Sequence, residues 1–287
     1  MKNVKLNNGM EIPQLGIGVY ALKPTEAEFA VKTALRNGYR LIDTANVYMN
    51  EKAVGRGVRA SGVKREDVII SSKLWPQDYA YEKAKKAIDK TLERLGVDYI
   101  DLLILHQQYG PYLEAWKAME EAVEQGKIRA IGLSDFNAKR FQDVIDHARI
   151  MPVLHQIETH PFYQERDLAE LARKTNTYIE SWFPLGGRED ISKILNNEVL
   201  TDIAKKHDKT VAQVVLRWHL QMGYIVIPGS ANEDHIKENI NIFDFELTDD
   251  DMARIQELDG TGRFFTLSEE EQEKWFMGST LNFDNQE

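Results

Sequence analysis

Four side chains, Asp43, Tyr48, Lys73 and His106, are of the types that hydride addition to a carbonyl requires. When hydride reaches the carbon, negative charge develops on the oxygen, which then needs a proton donor and electrostatic support. Tyrosine, with a free pKa of about 10, is a poor acid on its own. A neighbouring ammonium stabilises its phenolate and should lower that value. Lys73 can supply the ammonium, and Asp43 can keep it charged and in place. His106 can donate from one ring nitrogen to the same oxygen. Singly, each has a plainer reading: a buried structural ion pair for Asp43 and Lys73, a surface aromatic for Tyr48, a satisfied core histidine for His106.

Strands must bring the four together. "DLLILH" (101–106), within an apolar run that begins at Ile100, reads as a strand buried on both faces of a sheet, and His106 stands at its end. Seven other runs read the same way: 15–19, 39–43, 67–73, 130–134, 153–157, 177–182 and 224–228. Amphipathic helices fill the gaps, at 25–36, 51–61, 80–95, 111–125, 138–148, 165–175, 198–206 with 210–222, and 232–240. Thr25 and Glu28 form a capping-box pattern at the first of these. Before them, Asn8-Gly9 between two short runs predicts a β-hairpin. Eight strand–helix alternations favour a closed (β/α)8 TIM barrel, whose active site lies at the C-terminal ends of its strands. Those ends carry Asp43, Lys73, His106, Ser134, Gln156 and Trp182. "GIGVYA" (16–21) fits the dinucleotide pattern G-x-G-x-x-G/A, but the mechanism fails, because Pro24 and Thr25 place the helix start beyond a loop.

The 287 residues contain no Gly/Ser/Pro linker, and a single domain over 1–287 is expected. With no cysteine, disulfides, thiolate catalysis and cysteine-ligated metals are excluded. His155 and His160 lack any recognisable zinc-ligand pattern, so no metal is expected. A formal charge of −10 argues against nucleic acid or an anionic membrane as partner. No segment has the length of a membrane span or the form of a signal peptide. The expectation is a cytoplasmic monomer acting on a small molecule.

Six ordered blocks, "YRLIDTANVYMNE" (39–51), "IISSKLWP" (69–76), "LLILH" (102–106), "IGLSDF" (131–136), "HQIETHP" (155–161) and "SWFPLGG" (181–187), resemble the aldo-keto reductase superfamily. The likeness is strongest to its prokaryotic branch of 2,5-diketo-gluconate and aldehyde reductases. The resemblance implies an NADP(H)-dependent carbonyl reductase on a barrel whose C-terminal segment lies near the active site, with NAD(H) as the other possible cofactor. Position by position it implies a catalytic tetrad of Asp43, Tyr48, Lys73 and His106, with Tyr48 as the acid. Ser134, Asp135 and Gln156 would bind the nicotinamide carboxamide, and Trp182 would stack on its ring. Leu185, Gly186 and Gly187 would pass the pyrophosphate. Ser230, Asn232, His235, Glu238 and Asn239 would contact the adenosine end. Tyr20, Trp75 and Tyr109 would line the substrate pocket, with "RFFTLSEEEQEKWF" (263–276) either closing over it or packing on the barrel.

The departures from the family pattern are as informative. Gly229 and His235 stand where many relatives carry Lys and Arg for the 2′-phosphate. Asp135 replaces an asparagine, changing the charge near the nicotinamide. Gln107-Gln108 replaces Trp-Pro after the histidine. The competing enzyme is a Schiff-base aldolase using Lys73, which would need that lysine neutral, whereas Asp43 would keep it charged. The competing non-enzyme is a catalytically weak cofactor-binding sensor or subunit on the same fold.

Overall fold

The protein is described by a computed structural model over residues 2–187, 190–278 and 280–287. It opens with the expected hairpin of β1 (Asn3–Lys5) and β2 (Glu11–Pro13), with Gly9 at φ +87° in its turn. The alternation follows: β3 (Ile17–Gly18), α1 (Pro24–Arg36), β4 (Leu41–Asp43), α2 (Glu51–Ser61), β5 (Ile69–Leu74) and α3 (Tyr81–Leu95). Next come β6 (Ile100–Leu105), α4 (Tyr112–Glu124), β7 (Ile128–Ser134), α5 (Ala138–His147), β8 (Leu154–Glu158) and α6 (Arg166–Lys174). The chain continues through β9 (Tyr178–Trp182), α7 (Ile191–Leu195), α8 (Glu198–His207), α9 (Val211–Gln221), β10 (Ile225–Val226) and α10 (Glu233–Ile240). It ends with α11 (Asp249–Gln256) and α12 (Glu269–Met277). Strand and helix ends fall within one or two residues of those expected; α7, α11 and α12 were not foreseen.

Strands β3 to β10 pair in parallel in sequence order, and the two ends meet, completing a (β/α)8 barrel. The seam is held by bridges Leu15–Val226 and Gly18–Gly229, with Gly16 N–H donating to Val226 O at 2.8 Å. Here the glycines of "GIGVYA" find their reason. A Cβ on Gly18 would lie 2.8 Å from Ile227 O, and one on Gly229 would lie 3.0 Å from Gly18 O. They permit close backbone approach at closure, which is unrelated to a dinucleotide turn. One local expectation fails: α1 starts at Pro24, not after a Thr25 cap, and Glu26 accepts from Lys23 N–H at 2.9 Å. Proline's fixed φ suits the first helical position, and this moves the start ahead of the threonine.

Period-two alternation sorts the strands into two faces. On β6, Leu103 and Leu105 face the helices, while Leu102 and Ile104 point inward. The inward set, with Leu41, Ala130, Leu154 and Ile225, packs on Leu6 and Ile12 of the hairpin segment, which plugs the barrel floor. Continuing the same alternation upward points Asp43, Ser71, Lys73, Ser134, Gln156, Glu180 and Trp182 into the barrel. Registers Asp43–Ser71, Ser134–Gln156 and Gln156–Glu180 set these as a polar layer above the apolar one.

Candidate active site

Lys73 is fully buried and donates to Asp43 Oδ2 at 2.5 Å, Thr44 O at 2.9 Å and Tyr48 Oη at 3.3 Å. All three ammonium hydrogens therefore have acceptors. Asp43 Oδ1 accepts from Ser71 Oγ and Gln156 Nε2, each at 3.1 Å. Tyr48 sits on a short 3₁₀ turn (Asn46–Tyr48) that ends in Met49 at φ +57°. Two neighbours fix that turn. Asn50 donates to Val19 O and Leu22 O, and Glu51 accepts from Ser72 Oγ at 2.5 Å and Arg94 Nε at 2.6 Å.

His106 follows β6 and lies against Tyr48 and Trp75, with ring centroids 5.5 and 5.0 Å away. Its Nδ1 is sealed from solvent with no partner among the described residues. A lone pair there is less costly than an unpaired N–H, which puts the proton on Nε2, toward the cavity. Burial, then the Lys73 charge, holds the imidazole well below its ordinary pKa, so it is a neutral donor. For Tyr48 the expected lowering does not occur. Burial, followed by the charge of Asp43, raises its pKa well above 10. The Lys73 charge is already matched by Asp43 at 2.5 Å, so Tyr48 keeps its proton.

The structure adds a residue that strand ends alone did not reveal. Glu180, fully buried in β9, accepts from Gln156 Nε2 at 2.5 Å, while its Oε2 has no partner among the described residues. Burial and the nearby Asp43 raise its pKa to about 8. A glutamate inside the apolar run "YIESW", in phase with Trp182, was the available signal.

Aromatic rings make the mouth. Tyr20 is exposed and packs on Tyr48 and Phe183, while Trp75 meets Phe276 of α12. Tyr109, expected to line the pocket, is buried instead: its hydroxyl donates to Gln272 and its ring lies under Phe276. The C-terminal segment thus lies on the barrel mouth. It is anchored by buried Glu158, which accepts from Phe264 N–H at 2.7 Å and Phe265 N–H at 3.3 Å.

The positions expected to meet a dinucleotide run from this mouth outward. Ser134, Asp135, Gln156 and Trp182 are adjacent, with Trp182 Nε1–H donating to Asp135 Oδ1 at 2.8 Å. Leu185, Gly186 and Gly187 follow; Gly186 has φ +77°, and a Cβ there would lie 2.9 Å from Phe264. At α10, Asn232 caps the helix by accepting from Asp234 N–H and His235 N–H. Ser230 Oγ accepts from Asn232 N–H, and Glu238 accepts from Thr210 Oγ1. Asn239 is buried; Gly229 and His235 are exposed. No group of three or more His, Cys, Asp or Glu able to hold a metal occurs among the described residues. No helix among them is long and apolar enough to cross a membrane.

A parallel barrel with a buried Asp–Lys–Tyr chain and a neutral histidine at its C-terminal mouth defines the class: an oxidoreductase of carbonyl and CH–OH groups. Residues 13–260 match the model described as "Aldo/keto reductase family", and the chain belongs to that family. Its chemistry is the family's, NAD(P)H-dependent carbonyl reduction. The chain is 45% identical over 257 residues to a glyoxal reductase of Bacillus subtilis, covering 89% of this chain and 92% of the other. A crystal structure of an aldo/keto reductase from Brucella melitensis superposes with TM-score 0.86 at 42% identity, covering 90% of this chain and 99% of that one. An aldo-keto reductase of Bombyx mori, solved in complex with NADP, superposes with TM-score 0.87 at 32% identity, covering 93% and 95%.

Proposed function

We propose that the protein reduces small aldehydes, α-dicarbonyls or keto sugars to alcohols, with Tyr48 as general acid and NADPH as the preferred reductant. The observation that carries this is the chain Asp43–Lys73–Tyr48, at 2.5 and 3.3 Å, with His106 beside it. A bound carbonyl oxygen accepts from Tyr48 Oη and His106 Nε2. The dinucleotide, when bound, supplies hydride to the carbonyl carbon. As charge develops on the oxygen, Tyr48 gives up its proton, and the O–H bond of the alcohol forms as that of the phenol breaks. The ammonium of Lys73 supports the phenolate until water returns the proton. Asp43 acts by holding Lys73.

The residues present suit the dinucleotide. Gly186 and Gly187 have no side chain of their own and pack close to the rings of Phe264 and Phe183, and Trp182 offers a half-buried aromatic surface. Gln156 gives both amide hydrogens to carboxyl oxygens of Asp43 and Glu180, which leaves its carbonyl oxygen to accept from a carboxamide NH2. Likeness to the glyoxal reductase supports the aldehyde-reductase branch, and the NADP complex of the silkworm relative supports the phosphorylated cofactor.

The test is steady-state kinetics with NADPH and NADH against small aldehydes and α-dicarbonyls, on wild type and Tyr48→Phe. The variant should reduce about 10² more slowly or worse while still binding cofactor, as followed by tryptophan fluorescence. Near-normal turnover would remove Tyr48 from the mechanism.

A further inference from the structure

Two of the departures from the family pattern touch each other. Asp135 and Gln107 lie 28 residues apart on the ends of neighbouring strands, and Gln107 Nε2 donates to Asp135 Oδ2 at 3.2 Å. Trp182 Nε1–H donates to the other oxygen at 2.8 Å, and Ser134 Oγ lies 3.4 Å from Oδ2. Every side-chain partner of Asp135 is a donor, an arrangement that favours the carboxylate against the burial that raises its pKa to about 7. Gln107 accepts a penalty to take part: its Oε1 is buried with no partner among the described residues. The amide is held in this orientation by the bond to Asp135, since the flipped amide would set two acceptors against each other.

The backbone also fixes this charge in place. Gln107 N–H donates to Tyr79 Oη at 3.0 Å, and that hydroxyl donates back to Gln107 O at 2.9 Å; Tyr79 is fully buried. Asp135 adopts φ +56°, and its N–H donates to Gln156 O at 3.0 Å. The carboxylate thus sits between the ends of β6, β7 and β9, bonded to the indole on which the nicotinamide is expected to lie.

We propose that Gln107, Asp135 and Trp182 form one unit that fixes a negative charge at the nicotinamide edge and favours the oxidised, cationic cofactor over the reduced, neutral one. Gln107 is a positioning residue in this unit, acting through Asp135, and Trp182 has its ring plane set by the same carboxylate. The consequence for turnover is directional. Carbonyl reduction ends with the oxidised cofactor held by the favoured interaction, and its release slows the cycle. Alcohol oxidation begins from that same favoured complex. The inference rests on the proposed placement of the nicotinamide beside Trp182.

The test compares dissociation constants for oxidised and reduced cofactor, by fluorescence quenching and calorimetry, in wild type, Asp135→Asn, Gln107→Leu and the double variant. Asparagine tolerates positive φ and keeps an acceptor for the indole, so Asp135→Asn changes charge with little change of fold. It should weaken the oxidised form relative to the reduced form about fivefold. Gln107→Leu should shift the ratio the same way by about twofold, and should add nothing in the Asp135→Asn background. A loss shared equally by both cofactors, an unchanged ratio, or a Gln107 effect that persists without the carboxylate would overturn the proposal. If wild type quenches with neither cofactor, the placement of the nicotinamide itself fails, and the proposal with it.

Discussion

Replacing Glu180 by glutamine should stabilise the protein, increasingly so as the pH rises. The residue is fully buried, accepts one hydrogen bond from Gln156, and lies close to Asp43. Burial and that neighbour move its pKa from an ordinary 4.5 to about 8. The unfolded chain ionises it freely, so folding at neutral pH takes up a proton. With a raised folded-state pKa, its contribution is whole below the unfolded pKa and declines as pH climbs through the folded one. From 4.5 to 7 the loss is about 2.5 pH units at about 1.4 kcal/mol each, or roughly 3 kcal/mol. A glutamine carbonyl accepts the same hydrogen bond and never titrates. Glu180→Gln should match wild type near pH 4.5, exceed it by about 3 kcal/mol at pH 7, and raise Tm there by about 5 °C. Urea denaturation across pH 4.5 to 8.5 measures this directly. If the difference between the two proteins is flat with pH, or if the variant is weaker at pH 8, then Glu180 is stably ionised. Lys73 would in that case serve two carboxylates at once.

Two further outcomes follow from other parts of the mouth. Introducing Gly229→Lys with His235→Arg supplies the ammonium and guanidinium that a 2′-phosphate prefers, and both positions are exposed. NADPH should bind at least tenfold more tightly with NADH little changed; titration of both in wild type and variant decides it, and no gain would mean another basic group already holds the phosphate. Glu158→Ala removes the acceptor for Phe264 N–H and Phe265 N–H and the partner of Arg263 and His160. It should cost about 2 kcal/mol or more in stability and raise KM more than it lowers kcat, while limited proteolysis should cut first within 263–276. Unchanged proteolysis would show that the segment is held by its aromatic rings alone.

Much of this protein is decided by short-range pattern. Strand and helix boundaries follow from periodicity over windows of ten or so residues, and eight alternations leave few folds other than the barrel. Strand-end positions are likewise local, which is why Asp43, Lys73 and His106 stand out in the sequence alone. Tyr48 could be grouped with them because a phenol needs a cation and a carboxylate nearby to act as an acid. What the chain could not show along its length is how separate strands align. Glu180 becomes a partner of Gln156 and a neighbour of Asp43 only through the β8–β9 register and barrel closure, which join positions 137 residues apart. The same holds for Gln107 and Asp135, each visible in the sequence as a separate departure from the family pattern and joined only once adjacent strands set them 3.2 Å apart. Tyr109 shows the opposite case, a pocket candidate by position that α12 covers. The raised pKa of Tyr48 is also a tertiary result, because the sum of burial, Asp43 and an already paired Lys73 depends on distances that residue types do not carry.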